Sequence, residues 1–312
     1  MKKIALIVSA ISAALFASAT AKADIAVSGS AGVGYVSGNG ASNSKVYNGG
    51  AVAFALSSDL GNGVVVSTSA GITLDSNDAA TLGAVGATGL SNLSFATSGA
   101  TITVGGDIDI AGDGVGEVGG VAGDLVDEGG YNTLGVSPGL TEEDGYGVSL
   151  STAVGGATIT ASYILDADGG ANNAATNDTA TATGFQVSLP LGPLSATLGF
   201  ASDDANSESV TGGQVAYTAD GLGTITAGMS ETSDTTNEST WGVAYSGTVG
   251  SASLKVGYTN ASSGTNEWTR TEASLSQSIG AGASVFLDIQ TASGVSATSP
   301  GTNLAIGTSF SF

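Results

Sequence analysis

Residues 46–75 read VYNGGAVAFALSSDLGNGVVVSTSAGITLD, two runs of alternating apolar and polar residues around a short polar turn. In the first run Val52, Phe54 and Leu56 occupy alternate positions, and the second run keeps the same period. Successive side chains of a β-strand point to opposite faces, so a period of two indicates a strand with one apolar face. The turn at Ser58–Asn62 is short enough to join the two runs as an antiparallel hairpin.

The same pattern recurs from residue 25 to the C-terminus and predicts sixteen strands of an all-β protein. Short turns alternate with long polar loops such as Ser76–Gly89, after which Leu90–Thr97 is the fourth predicted strand. All four prolines fall in predicted connections, where a missing N–H would remove no ladder bond. Short turns at one end and long loops at the other are typical of barrels that span a membrane, and closure leaves no edge. We therefore predict a 16-stranded antiparallel transmembrane β-barrel.

Aromatic residues fall at two heights on the apolar face of the predicted strands. The belt toward the long loops contains Tyr35, Tyr146, Tyr163, Phe185, Phe200, Trp241 and Tyr258, and the belt toward the short turns contains Phe54, Phe95, Tyr217, Tyr245, Phe310 and Phe312. Two lipid–water interfaces select aromatic side chains at two heights. Tyr47, Trp268 and Phe286 break the alternation, and we expect them at the rim or in the lumen.

The N-terminus has the composition of an export signal. Two lysines precede the apolar run Ile4–Ala17, and Ala21-Lys22-Ala23 supplies the small residues of a cleavage site. We predict that residues 1–23 are a cleaved signal peptide and that residues 24–312 form the barrel. Cleavage leaves 312 − 23 = 289 residues with 3 − 27 = −24 formal charges.

This composition excludes several kinds of function. The chain has no cysteine and no histidine, which removes thiol chemistry, the usual general base and the commonest transition-metal ligand. The sequence therefore predicts no enzymatic activity. The strong negative charge argues against binding nucleic acid or an anionic lipid surface, and it favours divalent cations or a cation-enriched aqueous path.

The third long connection, Asp109–Glu143, is an acidic and glycine-rich insert that we predict folds into the lumen and constricts it. The segment and its flanks carry ten carboxylates and no cation: Asp107, Asp109, Asp113, Glu117, Asp124, Asp127, Glu128, Glu142, Glu143 and Asp144. So many like charges at a constriction require counter-cations or protonation. We therefore predict selectivity for cations. The alternative, an acidic loop solvated at the surface, stays open.

Hard divalent cations prefer oxygen ligands, so the insert is also a candidate site for Ca²⁺ or Mg²⁺. The predicted ligands are Asp113, Glu117, Asp124, Asp127 and Glu128. No other cofactor is expected.

Only three cations remain in the mature chain, and all are predicted on the lumen wall: Lys45, Lys255 and Arg270. The alternation places Lys255 and Arg270 on the lumen side of adjacent strands, so we expect them to be neighbours. Glu272 and Asp288 are predicted acids of the same wall. Pairing of each cation with one of these acids is an alternative that is compatible with a role in the lumen.

Several features together resemble a Gram-negative general porin of the alphaproteobacterial, Rhodobacter type. They are the Ala21-Lys22-Ala23 exit, the sixteen strands, the insert in the third long loop with Gly123-Asp124-Leu125 and Asp127–Tyr131, and a last strand that ends on Phe312. The chain departs from the family pattern because it lacks the arginine cluster that usually faces the acidic loop.

The resemblance implies a homotrimer in the outer membrane, in contact with lipid and lipopolysaccharide, that passes small hydrophilic solutes and ions. It also implies that the third loop forms an eyelet in the pore and that the assembly machinery reads the terminal aromatic residue. The rival interpretation is a β-rich surface, adhesive or layer protein with no role in transport.

Overall fold

The protein is a single sheet of antiparallel strands that closes on itself. The computed structural model describes residues 22–38, 44–75, 84–88, 90–121, 140, 144–166, 181–204, 207–233, 237–264, 266–294 and 301–312. No helix in these ranges is long and apolar enough to cross a membrane.

Seventeen strands make up the sheet. They are β1 (Lys22–Gly38), β2 (Lys45–Asp59), β3 (Val65–Asp75), β4 (Ala84–Thr88), β5 (Leu93–Ala96), β6 (Ala100–Asp109), β7 (Asp144–Val154), β8 (Ala157–Asp166), β9 (Ala182–Leu191), β10 (Leu194–Asp203), β11 (Glu208–Ala219), β12 (Gly223–Ser233), β13 (Glu238–Val249), β14 (Ala252–Ser263), β15 (Asn266–Gly280), β16 (Ala283–Gly294) and β17 (Gly301–Ser311). Strand β1 pairs with both β2 and β17, which closes the barrel. Strands β4 and β5 both pair with β3 and lie one after the other in the same place in the wall. The barrel therefore has 17 − 1 = 16 strand positions. The predicted fold class is confirmed.

The hairpin of β2 and β3 has the register that its sequence predicts. Val52 lies opposite Ile72 and Phe54 lies opposite Ala70, so residues of the predicted apolar face meet across the ladder. Asp59 Oδ1 accepts a hydrogen bond of 2.8 Å from the N–H of Gly61 in the turn. Gly61 and Gly63 have positive φ angles, which glycine adopts without a steric penalty.

The fourth position of the barrel differs from the prediction. The sequence predicted one strand over Leu90–Thr97 after a loop over Ser76–Gly89, whereas β4 already begins at Ala84 and β5 ends at Ala96. Part of the predicted loop is therefore strand. The run AVGAT of residues 84–88 is too short and too poor in large apolar residues to reveal a strand by its period.

Side chains replace part of the ladder at the break between β4 and β5. Ser91 Oγ accepts a hydrogen bond of 2.8 Å from the N–H of Ser69. On the other side, Asn92 Oδ1 accepts one of 3.2 Å from the N–H of Asp107, and Asn92 Nδ2 donates to the Asp107 carbonyl oxygen. These bonds keep backbone groups satisfied where the strand leaves the regular pattern.

The two sides of the wall differ in the residues they bear. In β10, Leu198 and Phe200 are exposed, whereas the alternating Gly199 and Ala201 are buried. Large exposed apolar residues recur on the same side in the other strands, among them Val215, Met229 and Val243. We call the opposite side, on which Ala201 is buried, the buried side of the wall. Aromatic residues of both predicted belts are exposed on the apolar side, including Tyr146, Phe185, Phe200, Trp241, Tyr217 and Phe310.

A charge on the apolar side should destabilise the barrel. Leu198 lies near the middle of β10 and is 63% exposed. The substitution Leu198→Arg should therefore cost about 2–4 kcal/mol of folding free energy in a bilayer. The neighbouring Thr197→Arg, on the other side of the same strand, is the matched control and should cost less. Reversible folding of each variant into lipid vesicles, followed as a function of urea concentration, measures both free-energy losses. Equal losses would contradict the assignment of the two sides.

Candidate functional site

Residues 110–121 leave the end of β6 and form what we call the wall segment. Two tight turns shape it: the N–H of Asp113 donates to the Ile110 carbonyl oxygen at 3.1 Å, and the N–H of Glu117 donates to the Gly114 carbonyl oxygen at 3.2 Å. Gly112, Gly114, Gly116 and Gly119 have positive φ angles, which the segment needs in order to turn this often. These four glycines of the insert thus have a local conformational reason.

The apolar residues of the wall segment are buried against the barrel. Ile110 is 2% exposed and belongs to a cluster with Ile108, Leu140 and Ile164. Ala111, Val115 and Val118 are buried as well. Burial of these side chains removes apolar surface from water, which favours the position of the segment on the wall.

Hydrogen bonds to three strands fix the wall segment along its length. Near its start the N–H of Ala111 donates to Ser162 Oγ in β8 at 2.7 Å. Farther on, Thr259 Oγ1 in β14 donates to the Val118 carbonyl oxygen at 3.1 Å. At its end the N–H of Val121 donates to Glu272 Oε2 in β15 at 2.5 Å. The segment therefore follows the buried side of the wall from β8 to β15.

The carboxylates of the wall segment border a cavity. The cavity has a volume of about 490 Å³, and its polar lining comprises Asp109, Asp113, Glu117, Ser149, Thr160 and Gln186. Asp113 is half-buried, and its Oδ1 accepts a hydrogen bond of 3.1 Å from the N–H of Leu140. Glu117 is exposed. Carboxylates attract a passing cation, and the oxygens of carboxylates, hydroxyls and an amide around a water-accessible space can replace part of its hydration shell.

The structure brings together only some of the ten predicted acids. Asp107 and Asp109 lie at the end of β6 from which the insert starts. Asp144 is the first residue of β7 and lies opposite Asp109 in the ladder. The predicted insert thus begins one residue later than expected. The remaining predicted acids lie outside the described residues: Asp124, Asp127, Glu128, Glu142 and Glu143.

The predicted divalent cation site is described only in part. Of its five predicted ligands, Asp113 and Glu117 line the cavity, and the other three lie outside the described residues. Within the part of the chain that is described, no group of three acidic side chains could hold a metal ion. The site stays a prediction.

Arg270 is half-buried and pairs with an acid. Its Nε lies 2.9 Å from Glu272 Oε1, an ion pair in which the Nε–H is not aligned as a hydrogen bond. This contact corresponds to the alternative in which a wall cation pairs with a nearby acid.

The expectation that Lys255 and Arg270 are neighbours is wrong. Lys255 lies opposite Ser274 in the ladder, whereas Arg270 lies opposite Thr259, four residues away. Four residues correspond to about 14 Å along a strand, because each residue adds about 3.4 Å. Lys255 is exposed, and alternation places it on the same side as Thr259. The side chain of Lys45 lies outside the described residues.

Glu272 and Asp288, the two predicted acids of the lumen wall, are both buried. Gln290 Nε2 donates to Glu272 Oε1 at 3.0 Å, and Asn303 Nδ2 lies 3.4 Å from Gln290 Oε1. A polar network therefore crosses β15, β16 and β17 on the buried side of the wall. The position of Glu272 and Asp288 on a lumen wall stays a prediction.

Sequence reasoning missed Ser162 and Thr259, which bind the backbone of the wall segment. Both are small hydroxyl residues on the non-apolar side of their strands, in the half of the strand that leads to the long loop. That pattern is common to many residues of the chain, so only their position relative to the acidic insert could have pointed to them.

Comparison with known proteins gives one family and one fold. The family model described as Gram-negative porin matches residues 5–296. No curated protein sequence matches the chain.

Solved structures share the fold over nearly the whole chain. The anion-selective porin from Comamonas acidovorans is 14% identical, with a TM-score of 0.66, 93% of this chain and 100% of that chain being covered. The in-vitro folded outer membrane protein OmpT of Vibrio cholerae, in its trimer form, is 12% identical with a TM-score of 0.67, covering 93% and 99%. A triple mutant of the Rhodopseudomonas blastica porin is 13% identical with a TM-score of 0.65, covering 93% and 100%.

Proposed function

The chain belongs to the family of Gram-negative porins, and we propose that it is a cation-selective diffusion channel with the wall segment at its constriction. Family and fold support an outer-membrane location and a passive channel that admits small hydrophilic solutes and ions. Proteins of this family and fold are channels rather than enzymes.

The observation that supports cation selectivity is the two-sided character of the wall segment. Its apolar residues are buried against the barrel, and Asp113 and Glu117 border the cavity. In the sequence, no lysine or arginine occurs between Lys45 and Lys255, and Arg270 is paired with Glu272. Negative charge at a narrow aqueous passage raises the local concentration of cations and lowers that of anions.

We also propose that the buried side of the wall faces the lumen and that the wall segment narrows it. The contacts of the segment with Ser162, Thr259 and Glu272 support this arrangement. The trimer form of the Vibrio cholerae protein supports a homotrimer for this chain. The structural likeness to the Rhodopseudomonas blastica porin supports the finer grouping with Rhodobacter-type porins.

A divalent cation at the acidic insert is a separate proposal. Its ligands would be Asp113, Glu117, Asp124, Asp127 and Glu128, because hard cations such as Ca²⁺ take carboxylate oxygens. Bound Ca²⁺ would raise the unfolding temperature of the folded barrel. An unfolding temperature that is the same in excess Ca²⁺ and in excess chelator would refute this proposal.

The selectivity proposal is tested with the refolded mature chain in planar bilayers. Under a gradient of KCl the reversal potential should have the sign of a channel that prefers K⁺. The opposite sign would refute cation selectivity. Absence of single-channel steps from a correctly folded barrel would instead favour the rival interpretation, a surface or layer protein without transport.

A further inference from the structure

Six consecutive strands each place one glycine beneath the wall segment. They are Gly184 in β9, Gly199 in β10, Gly212 in β11, Gly228 in β12, Gly242 in β13 and Gly257 in β14. We call these six residues the glycine seat. Gly199 lies directly opposite Gly212 in the ladder, and Gly228 lies directly opposite Gly242, so the seat is continuous across these strand pairs.

The backbone of the wall segment occupies the space that side chains would need. A methyl group at Gly212 would overlap the Val115 carbonyl oxygen, and one at Gly242 would overlap the Val118 carbonyl oxygen. A methyl group at Gly257 would overlap the backbone of Gly119. Non-bonded heavy atoms prefer separations of about 3.5–4.0 Å, so none of these positions has room for a side chain.

The other seat glycines are in contact with the segment in the same way. A methyl group at Gly228 would lie 2.7 Å from both the Gly116 carbonyl oxygen and Val118 Cγ2. One at Gly199 would lie 2.5 Å from the Gly112 carbonyl oxygen. The segment therefore rests on the strand backbones themselves along β9–β14.

We propose that the glycine seat sets the cross-section of the channel. This inference rests on the proposed function, in which the wall segment lies at the constriction. Each strand is held on both sides by ladder hydrogen bonds, whereas the segment is tied to the wall by side-chain bonds at Ser162, Thr259 and Glu272. A side chain on the seat therefore displaces the segment rather than the strand, and the segment then projects farther into the passage.

Gly213 provides a matched control on the same strand. It is adjacent to Gly212 but points to the apolar side. A methyl group there would lie 3.1 Å from Leu198 Cδ2, the end of a flexible side chain, and at an ordinary 3.8 Å from the Thr197 carbonyl oxygen. Gly213→Ala changes the same residue type in the same strand and leaves the contact with the wall segment intact.

The test is the single-channel conductance of refolded variants in planar bilayers, with heat-modifiable gel migration to show that each barrel is folded. Displacement of the segment by the roughly 1–2 Å that normal contacts require should lower the conductance of the double variant Gly212→Ala/Gly242→Ala about twofold. Gly213→Ala should conduct like the wild-type chain. A conductance of the double variant equal to that of the wild type would overturn the inference, and so would an equal fall in Gly213→Ala.

A milder variant covers the case in which the double variant does not fold. Gly228→Ala should also lower the conductance, and Val118→Ala in the same chain should restore part of it by removing the contact with Val118 Cγ2, one of three close contacts. A conductance of Gly228→Ala equal to that of the wild-type chain would overturn the inference. A wild-type chain that forms no channel would refute the proposed function, whereas a wild-type channel with insensitive seat variants refutes only the role of the seat.

Discussion

The variant Asp113→Asn/Glu117→Gln should lower the ratio of cation to anion permeability about 30-fold in 0.1 M KCl, since each charge attracts a cation and repels an anion at about 5 Å by roughly 0.5 kcal/mol after screening. Both substitutions preserve shape, and asparagine at position 113 keeps an oxygen that can accept the N–H of Leu140. The measurement is the reversal potential under a KCl gradient. In 1 M KCl the effect should largely vanish, because the screening length falls to about 3 Å.

The double variant Asp59→Asn/Asp220→Asn is the control with the same change of charge. Asp59 and Asp220 lie in or beside short turns, at β2–β3 and at β11–β12, away from the cavity. Its permeability ratio should stay close to that of the wild type. Equal shifts in the two double variants would show that overall charge sets the selectivity and that the wall segment has no special part in it.

The barrel could be predicted from the sequence because each strand residue has one of two environments. The alternation in β2 and β3 places Val52 and Phe54 on one face, and the observed register pairs them with Ile72 and Ala70. The break between β4 and β5 could not be predicted in this way. There Asn92 replaces ladder bonds with side-chain bonds to Asp107, and a hydrophobic period carries no information about such bonds.

The site could be predicted in composition but not in arrangement. Alternation correctly grouped Arg270 with Glu272 on one side of a strand, and the acidic insert was evident from its charge. The bond from Val121 to Glu272 joins residues 151 positions apart, and the bond from Ala111 to Ser162 joins residues 51 apart. Only the closed sheet brings such residues together, so no local pattern could have shown them.

The six glycines of the glycine seat could not be recognised from the sequence, although they recur regularly. One glycine on the buried side of the wall in each of six consecutive strands is a regular pattern, yet the chain has 50 glycines, and most of them suit small-residue strands or turns equally well. The register of the strands distinguishes Gly212, under the segment, from Gly213, on the apolar side.

Replacement of Glu272 by alanine should destabilise the folded barrel by about 3 kcal/mol, because it leaves a partly buried guanidinium without its carboxylate. Glu272 is 3% exposed and lies 2.9 Å from Arg270 Nε. It also accepts hydrogen bonds from the N–H of Val121 and from Gln290 Nε2, and both donors lose their acceptor in the variant. The denaturant midpoint of unfolding measures the loss. Glu267→Ala, which removes an exposed acid from the same strand, should have little effect.

The double variant Arg270→Met/Glu272→Ala separates stability from the position of the wall segment. Removal of both charged partners should recover much of the lost stability, because no buried charge is then left alone. The N–H of Val121 still lacks its acceptor, so the end of the segment should stay loose in both variants. Single-channel current noise should therefore rise in Glu272→Ala and remain high in the double variant. If the current noise of the double variant equals that of the wild type, the hydrogen bond between Val121 and Glu272 does not hold the segment in place.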